Sequence, residues 1–290
     1  MQGSGLASSR RLACHAMILP VMVLAVTATD ALHGRSLAQG RLDARYTVTL
    51  AGLAIGRGAW VIDITDDHFT AAANGATAGL LRAFTSGHGQ SMVRGTVSSG
   101  QLVSTSYTSS IFTDKRFDEV RMAISSGTVQ EVVADPPIAS NPDRVPITEA
   151  HRRDVSDPMT ASLVRVPGTS DPIGPQACPG KVSVFDGRMR YDLHLTFRRL
   201  DQVKAAKGYQ GRSVVCSLQF APIAGHVPDR AAIKYLAELR NVEVWLAPIA
   251  GTRVMVPYRA SVPTPIGLSV VEATHFVSVP HSDQAGARTQ

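Results

Sequence analysis

The sequence lacks nearly everything that announces a reaction. It has no Gly-x-Ser-x-Gly elbow, no His-Glu-x-x-His, no phosphate-binding loop and no Rossmann glycine fingerprint. No catalytic residue is therefore assigned, and no cofactor or metal is expected. The histidines beyond the first forty residues are His68, His88, His151, His194, His226, His275 and His281, and no two stand at ligand spacing with a carboxylate nearby. His194 reads as solvated and His275 as an interior histidine with its bonding satisfied. Charge is also sparse: 29 basic against 23 acidic residues, a net of +6, spread along the chain. That is too little and too dispersed for a nucleic-acid footprint. The basic pairs Arg152-Arg153 and Arg198-Arg199 read as solvated surface, with anionic head groups or cell-wall polymers as the sharper alternative.

Long apolar runs are scarce too, and the one present is at the start. Arg10 and Arg11 precede an apolar stretch from Leu12 to Thr29, followed by the small-residue sequence Ser36-Leu37-Ala38. A positive region, a short apolar core and small residues before a cut are the layout of a secretory signal peptide. Pro20 interrupts the run and Asp30 and His33 close it, short of the about 20 apolar residues of a spanning helix. An uncleaved anchor is the competing reading. A lipoprotein signal is disfavoured because Cys14 lies ahead of the apolar core. Cleavage after Ala38 would leave 290 − 38 = 252 residues, with 29 − 3 = 26 basic and 23 − 1 = 22 acidic side chains. The expectation is a periplasmic protein that is not integral to the membrane once cleaved.

Cysteine is the third scarcity. Of three, Cys14 would leave with the leader, so Cys178 and Cys216 remain. An even count in an exported chain suggests a bridge. Neither has a His or Cys at zinc-finger spacing, which leaves the disulfide ahead of a metal site.

What the chain does have is alternation. Tyr191 to Arg198 alternates apolar and polar side chains strictly, and Val214, Cys216, Leu218 and Phe220 repeat the pattern. Tyr46-Val48-Leu50, Trp60-Ile62-Ile64, Val242-Val244-Leu246 and Val254-Val256-Tyr258 share the same period, and Gly267 to Val279 reads as a last strand. A period of two puts one face on a core and the other in water. Turn signals at Gly52, Asp66-Asp67, Ser99-Gly100, Ser126-Gly127, Asp186-Gly187 and Ala250-Gly251 separate about ten to twelve strands. Short turns between consecutive strands imply an antiparallel meander. Helix is scarce: Asp229 to Leu239, Asp157-Pro158 to about Val164, and Ala76 to Phe84 are the candidates.

Eight prolines between Asp135 and Gln176 break every period. They separate a strand set over 44–134 from one over 181–279, as an interdomain linker or as a crossover (135–180) within one sheet. The crossover is preferred, because each half alone offers few large apolar side chains. The expected layout is a leader over 1–38, a single β domain over 39–279 and a disordered polar tail over 280–290. The fold class is mainly β: a strongly curved antiparallel sheet or incomplete barrel, with two or three short helices.

Residues with chemical potential are few. Thr85-Ser86-Gly87-His88-Gly89 brings a hydroxyl and a histidine together but reads as a turn between a short helix and a strand. Asp192, Asp201 and Glu243 have no distinguishing context as a carboxylate pair. A curled sheet has a concave apolar face, and Trp60, Phe84, Tyr191, Phe197, Phe220 and Tyr235 are the aromatic side chains that would line a cavity there or fill it.

The runs Val184 to Leu193, Gly208-Tyr209-Gln210-Gly211, Val215-Cys216, Ala221 to His226, Glu243 to Pro248 and Val256-Pro257-Tyr258-Arg259, with Tyr46 to Gly56, resemble the family catalogued as domain of unknown function 3108. Its members are exported proteins of Gram-negative bacteria, and the resemblance implies no reaction and no catalytic residues. By fold it is similar to periplasmic lipoprotein carriers and other β-spiral envelope proteins. The expected function is non-enzymatic: binding or carrying a lipid or lipoprotein of the envelope, or supporting envelope integrity. Alternatives are a scaffold contacting envelope proteins or peptidoglycan and, less favoured, a cell-wall or lipid hydrolase. Nucleic acid is not expected as a partner.

Overall fold

The computed structural model describes residues 39–79 and 86–281. The expected leader, the end of the expected tail (282–290) and Phe84 lie outside the described residues.

Seven strands follow one another as a meander: β1 (Gly40–Leu50), β2 (Leu53–Ile64), β3 (His68–Thr77), β4 (Gly87–Ser98), β5 (Gln101–Thr113), β6 (Arg116–Ser125) and β7 (Thr128–Asp135). The crossover carries helix α1 (Pro158–Ala161) and the short β8 (Val164–Arg165). Then come β9 (Gly180–Phe185), β10 (Arg190–Lys204), β11 (Lys207–Gly208), β12 (Gln210–Ala224), helix α2 (Ala231–Glu238), β13 (Val242–Pro248), β14 (Val254–Thr264) and β15 (Gly267–Pro280). All fifteen strands belong to one sheet, in the order β7-β6-β5-β4-β3-β2-β1-β15-β14-β13-β12-β10-β9, with β8 added to β14 and β11 to β15. The count exceeds the ten to twelve expected partly because β8 and β11 are two residues long and show no period. The two strand sets are joined by their outermost strands: β1 runs antiparallel to β15 from Gly40 beside Pro280 to Leu50 beside Ser269.

Sequence-local chemistry sets the turns. Ser99-Gly100 (φ 50° and 75°) and Ser126-Gly127 (φ 48° and 74°) take the paired left-handed conformation of two-residue hairpins, which twists in the same sense as the strands. Register shifts at Arg45/Tyr46, Arg94/Gly95, Ala123/Ile124 and Trp245/Leu246 insert extra residues that bend and twist the ladder. At one of them Gly95 is obligatory: a Cβ there would stand 2.3 Å from both the Phe69 ring and the Val103 carbonyl.

The sheet curls but does not close; β7 and β9 are its unpaired edges. The crossover spans the gap. Val155 N–H donates to the Gly127 carbonyl at the β6–β7 turn (3.0 Å), and Ser156 exchanges backbone bonds with Ser183 and Phe185 of β9 (2.9 and 3.0 Å). Arg188 adds a side-chain link, reaching Asp118 of β6 and the Pro136 carbonyl. Just after this bridge Asp157 caps α1, accepting from the Met159 and Thr160 amides at 3.0 Å each. Burial pushes its carboxyl above the usual range, against the pull of those bonds.

Two cores result. One lies on the inner face, with Leu42, Ile62, Phe69, Val93, Tyr258 and Phe276 fully buried. The other lies on the opposite face of the C-terminal strands, where Val164, Val166 and Ala177 of the crossover cover Val214, Cys216, Leu246 and Met255. The Cys178–Cys216 disulfide pins the end of that cover to β12.

Three helix expectations are corrected. The helix at Asp157 ends at Ala161 and not near Val164, because Val164 pairs with Met255 as part of β8. The helix expected from Asp229 has Arg230 at its cap position, while Asp229 forms an ion pair with Lys234 (2.8 Å). Ala76 and Thr77 belong to β3, so no helix starts at Ala76; residues 80–84 of that segment lie outside the described residues.

Candidate functional site

Along β2, β3 and β4 the inner face changes character at one level. At one end it carries Ile62 and Ile64, Phe69 and Ala71, and Val93, all buried in the core. At the other it carries Gly56 and Gly58, Gly75, and Gly87 and Gly89. Pairing sets these in register: Tyr46 beside Gly58, Gly58 beside Gly75, Gly75 beside Gly89, and Gly89 beside Ile111. Three strands in succession thus present bare backbone between a tyrosine and an isoleucine.

None of these five glycines has a positive φ, so backbone conformation does not require glycine there. A Cβ on Gly75 would find its nearest neighbour, the Arg57 carbonyl, at 3.6 Å, an ordinary contact. At Gly58 the Asn74 carbonyl would be at 3.0 Å, which is tight. Glycine inside a strand costs about 0.5–1 kcal/mol relative to alanine. The space left open is what the glycines create.

That space is an open trough made of two hollows, of about 430 and 290 Å³, which share Ala73, Asn74 and Gly75. Ile111 and Thr113 border one; Tyr46, Val48, Trp60, Pro257 and Val271 border the other. Its polar groups are mostly paired: the Thr77 hydroxyl donates to the Gly87 carbonyl and Ser91 to Ser109 (2.9 Å). The Tyr46 hydroxyl donates to the Pro257 carbonyl (2.8 Å), fixing β1 against β14, and burial raises its pKa so that it stays neutral. The Trp60 indole N–H is buried without a partner. The outer face of the same strands holds a separate, more polar hollow of about 510 Å³, bordered by Arg45, Arg57, His88 and Gln90.

Of the aromatic side chains expected to line a cavity, Trp60 does line the trough. Phe84 lies outside the described residues. The others are placed elsewhere. Phe197 packs on the second core. Tyr191 and Phe220 lean on each other (5.3 Å between centroids) on the same face of β10 and β12 as Leu193 and Phe197. Tyr235 is on α2. The alternation that identified them is the same for either face, and the crossover covers the second face as a core.

Groups with chemical potential are occupied. The Ser86 hydroxyl and amide both donate to Asp114, while the His88 ring stacks on Phe112 (4.9 Å, 12°). Gly87, His88 and Gly89 form strand and not the expected turn. Asp201 accepts from the Trp245 indole (2.8 Å), Glu243 takes a two-point contact from Arg199 (2.6 and 3.0 Å), and Asp192 binds Ser183 and Arg190. His275 comes to 3.9 Å from Asp43. Among the described residues no group of three His, Cys, Asp or Glu is placed to hold a metal ion.

The glycine floor was not anticipated. Its sequence signal is Gly-x-Gly at Gly56-Gly58 and again at Gly87-Gly89, each continuing into an alternating strand. In such a frame a glycine pair marks an emptied inner face.

Fold and trough together define an incomplete antiparallel barrel, a curled sheet with one filled end and one bare end. The chain belongs to the DUF3108 family, described as a protein of unknown function, whose model matches residues 45–274. A solved β-barrel-like protein of domain of unknown function DUF1849 from Brucella abortus is 7% identical, with a TM-score of 0.44 over 85% of this chain and 99% of that one. A DUF1329 family protein from Desulfovibrio piger is 8% identical, with a TM-score of 0.19 over 87% of this chain and 88% of that one. No curated protein matched.

Proposed function

We propose that this is an exported, non-enzymatic envelope protein that holds the apolar part of a lipid or lipoprotein in the glycine-floored trough. The observation that carries the reading is Gly75, a strand-interior glycine that neither φ nor crowding requires, at the centre of a row that no side chain of the described residues fills. The hollows match the roughly 300–1,000 Å³ of small-molecule sites and have apolar walls. The disulfide fits an oxidising compartment, and among the described residues no helix is long and apolar enough to cross a membrane. A scaffold would need no unfilled inner face.

The test is mass spectrometry under native conditions of the protein purified after export from a bacterial host, beside Gly75→Val. Wild type is expected to carry a lipid or acylated species that the variant lacks, with equal melting temperatures. Absence of any such species from wild type, or equal loading of the variant, would refute the reading.

A further inference from the structure

The two ends of the meander have opposite chemistry at their turns. At the filled end the β2–β3, β4–β5 and β6–β7 connections read Asp66-Asp67, Ser99-Gly100 and Ser126-Gly127. At the bare end they read Ala51-Gly52-Leu53 between β1 and β2, Asp114-Lys115 between β5 and β6, and Pro265-Ile266 between β14 and β15. Strand register places these last three at one end: Leu50 pairs with both Leu53 and Ser269, Gly56 with Thr77, and Gly87 with Thr113.

Apolar exposure follows the same division. Among the described residues thirteen large apolar side chains are exposed, and six of them stand on these three turns and their flanks: Leu53, Ile111, Phe112, Phe117, Ile266 and Leu268. Ile266 is 74% and Leu53 60% exposed, the two highest values. These two tips touch through the Ala51 N–H bond to the Leu268 carbonyl (2.9 Å), while Phe112 and Phe117 lean on each other (4.8 Å) beside the β5–β6 turn, on the face that carries His88. Among the described residues, Arg57, Lys115 and Arg116 stand around these turns against Asp114 and Asp118, the latter paired with Arg188. Asp114 is occupied by Ser86, and none of the three cations has an ion-pair partner among the described residues.

We infer that the bare end is a docking surface for a lipid bilayer bearing anionic head groups. Separate apolar tips flanked by unpaired cations enter a fluid interface individually, each finding its own acyl neighbours while the cations meet phosphates. A protein partner would need one continuous complementary face, whereas the exposed apolar side chains here stand on three separate turns. Docking rests on the turn tips and does not require the trough to be loaded.

The experiment is sedimentation of the exported protein with vesicles of phosphatidylcholine mixed with phosphatidylglycerol. Wild type should bind, and the double variant Leu53→Gln, Ile266→Gln should lose about tenfold or more in affinity while melting as wild type does. Lys115→Gln with Arg116→Gln should weaken binding to the mixed vesicles by a similar factor and leave binding to pure phosphatidylcholine unchanged. Val279→Gln, at an exposed apolar side chain (49%) at the opposite end of β15, should bind normally, as should the trough-filling Gly75→Val. Failure of wild type to bind, undiminished binding by the tip variant, or an equal loss in Val279→Gln would each overturn the inference. Normal binding by Gly75→Val alongside an empty wild-type trough would reject lipid carriage and keep the docking surface.

Discussion

Strands β12 and β13 are buried on both faces at their centres, whereas among the described residues β2 to β5 have a core on one face only, and at one end of it. Ser213 to Cys216 are all buried, as are Val244 to Ala247, because the crossover lies on one side and the inner core on the other. Gly58, Gly75 and Gly89 sit in the same sheet, at strands that pair just as regularly, and among the described residues they line hollows rather than a core. Regular backbone pairing thus serves two ends. The C-terminal half supplies the stability of a closed two-sided layer, and the N-terminal half uses its ladder as the wall of an open space. The β1–β15 seam makes the first half depend on the second for its rigidity.

The largest test of that division is the disulfide. Cys178 and Cys216 are separated by 38 residues, and closing a loop of that size removes about 4 kcal/mol of unfolded-state entropy. Replacing both by alanine should lower the unfolding free energy by that amount in denaturant titrations without reductant. The difference should largely disappear when reductant is added to both proteins. A loss that persists under reduction would mean that the covalent link adds little to the second core and that side-chain packing holds the cover in place.

Within the N-terminal half, the filled and bare ends make different demands on glycine. Gly95 lies where the Phe69 ring crosses β4, so Gly95→Ala forces the ring or the β5 backbone to move. The expected cost is about 2–3 kcal/mol, measured as a shift in denaturation midpoint. A neutral result would show that the filled end is as loosely packed as the bare one and would remove the contrast.

How much of this was legible beforehand depends on range. The alternation of β10 and β12, the hairpin at Asp186-Gly187 and the Asp157-Pro158 helix start are decided within a few residues. In the structure Asp186 accepts from the Arg188 and Met189 amides (2.8 and 2.6 Å), closing that turn locally. The disulfide followed from the two cysteines left beyond the expected leader, with no metal-ligand spacing around either. The helix start expected at Asp229 failed because Asp229 is drawn to Lys234, a side-chain choice that capping preference does not weigh. The placement of the aromatic side chains was decided at longer range. Period two says that Phe197 and Trp60 each face inward on some layer, but only the placement of Val164 and Val166 decides that Phe197 faces a second core. The trough was missed because a glycine inside a strand looks like a weak strand until its neighbours on both sides are known to be glycine too.

The smallest expected effect discriminates most finely between a floor kept bare and a strand that merely tolerates glycine. At Gly75 a methyl group meets nothing closer than 3.6 Å and the backbone is not left-handed, so Gly75→Ala should restrict the unfolded chain without straining the folded one. Stability should rise by about 0.5 kcal/mol, read as an increase in melting temperature. Destabilisation would mean that strands β2 and β4 close in on β3 more tightly than the register implies, and the glycine would then be there for fit. A gain in stability leaves space as the reason for Gly75, since the protein forgoes a stabilisation at a position where a side chain would begin to fill the trough.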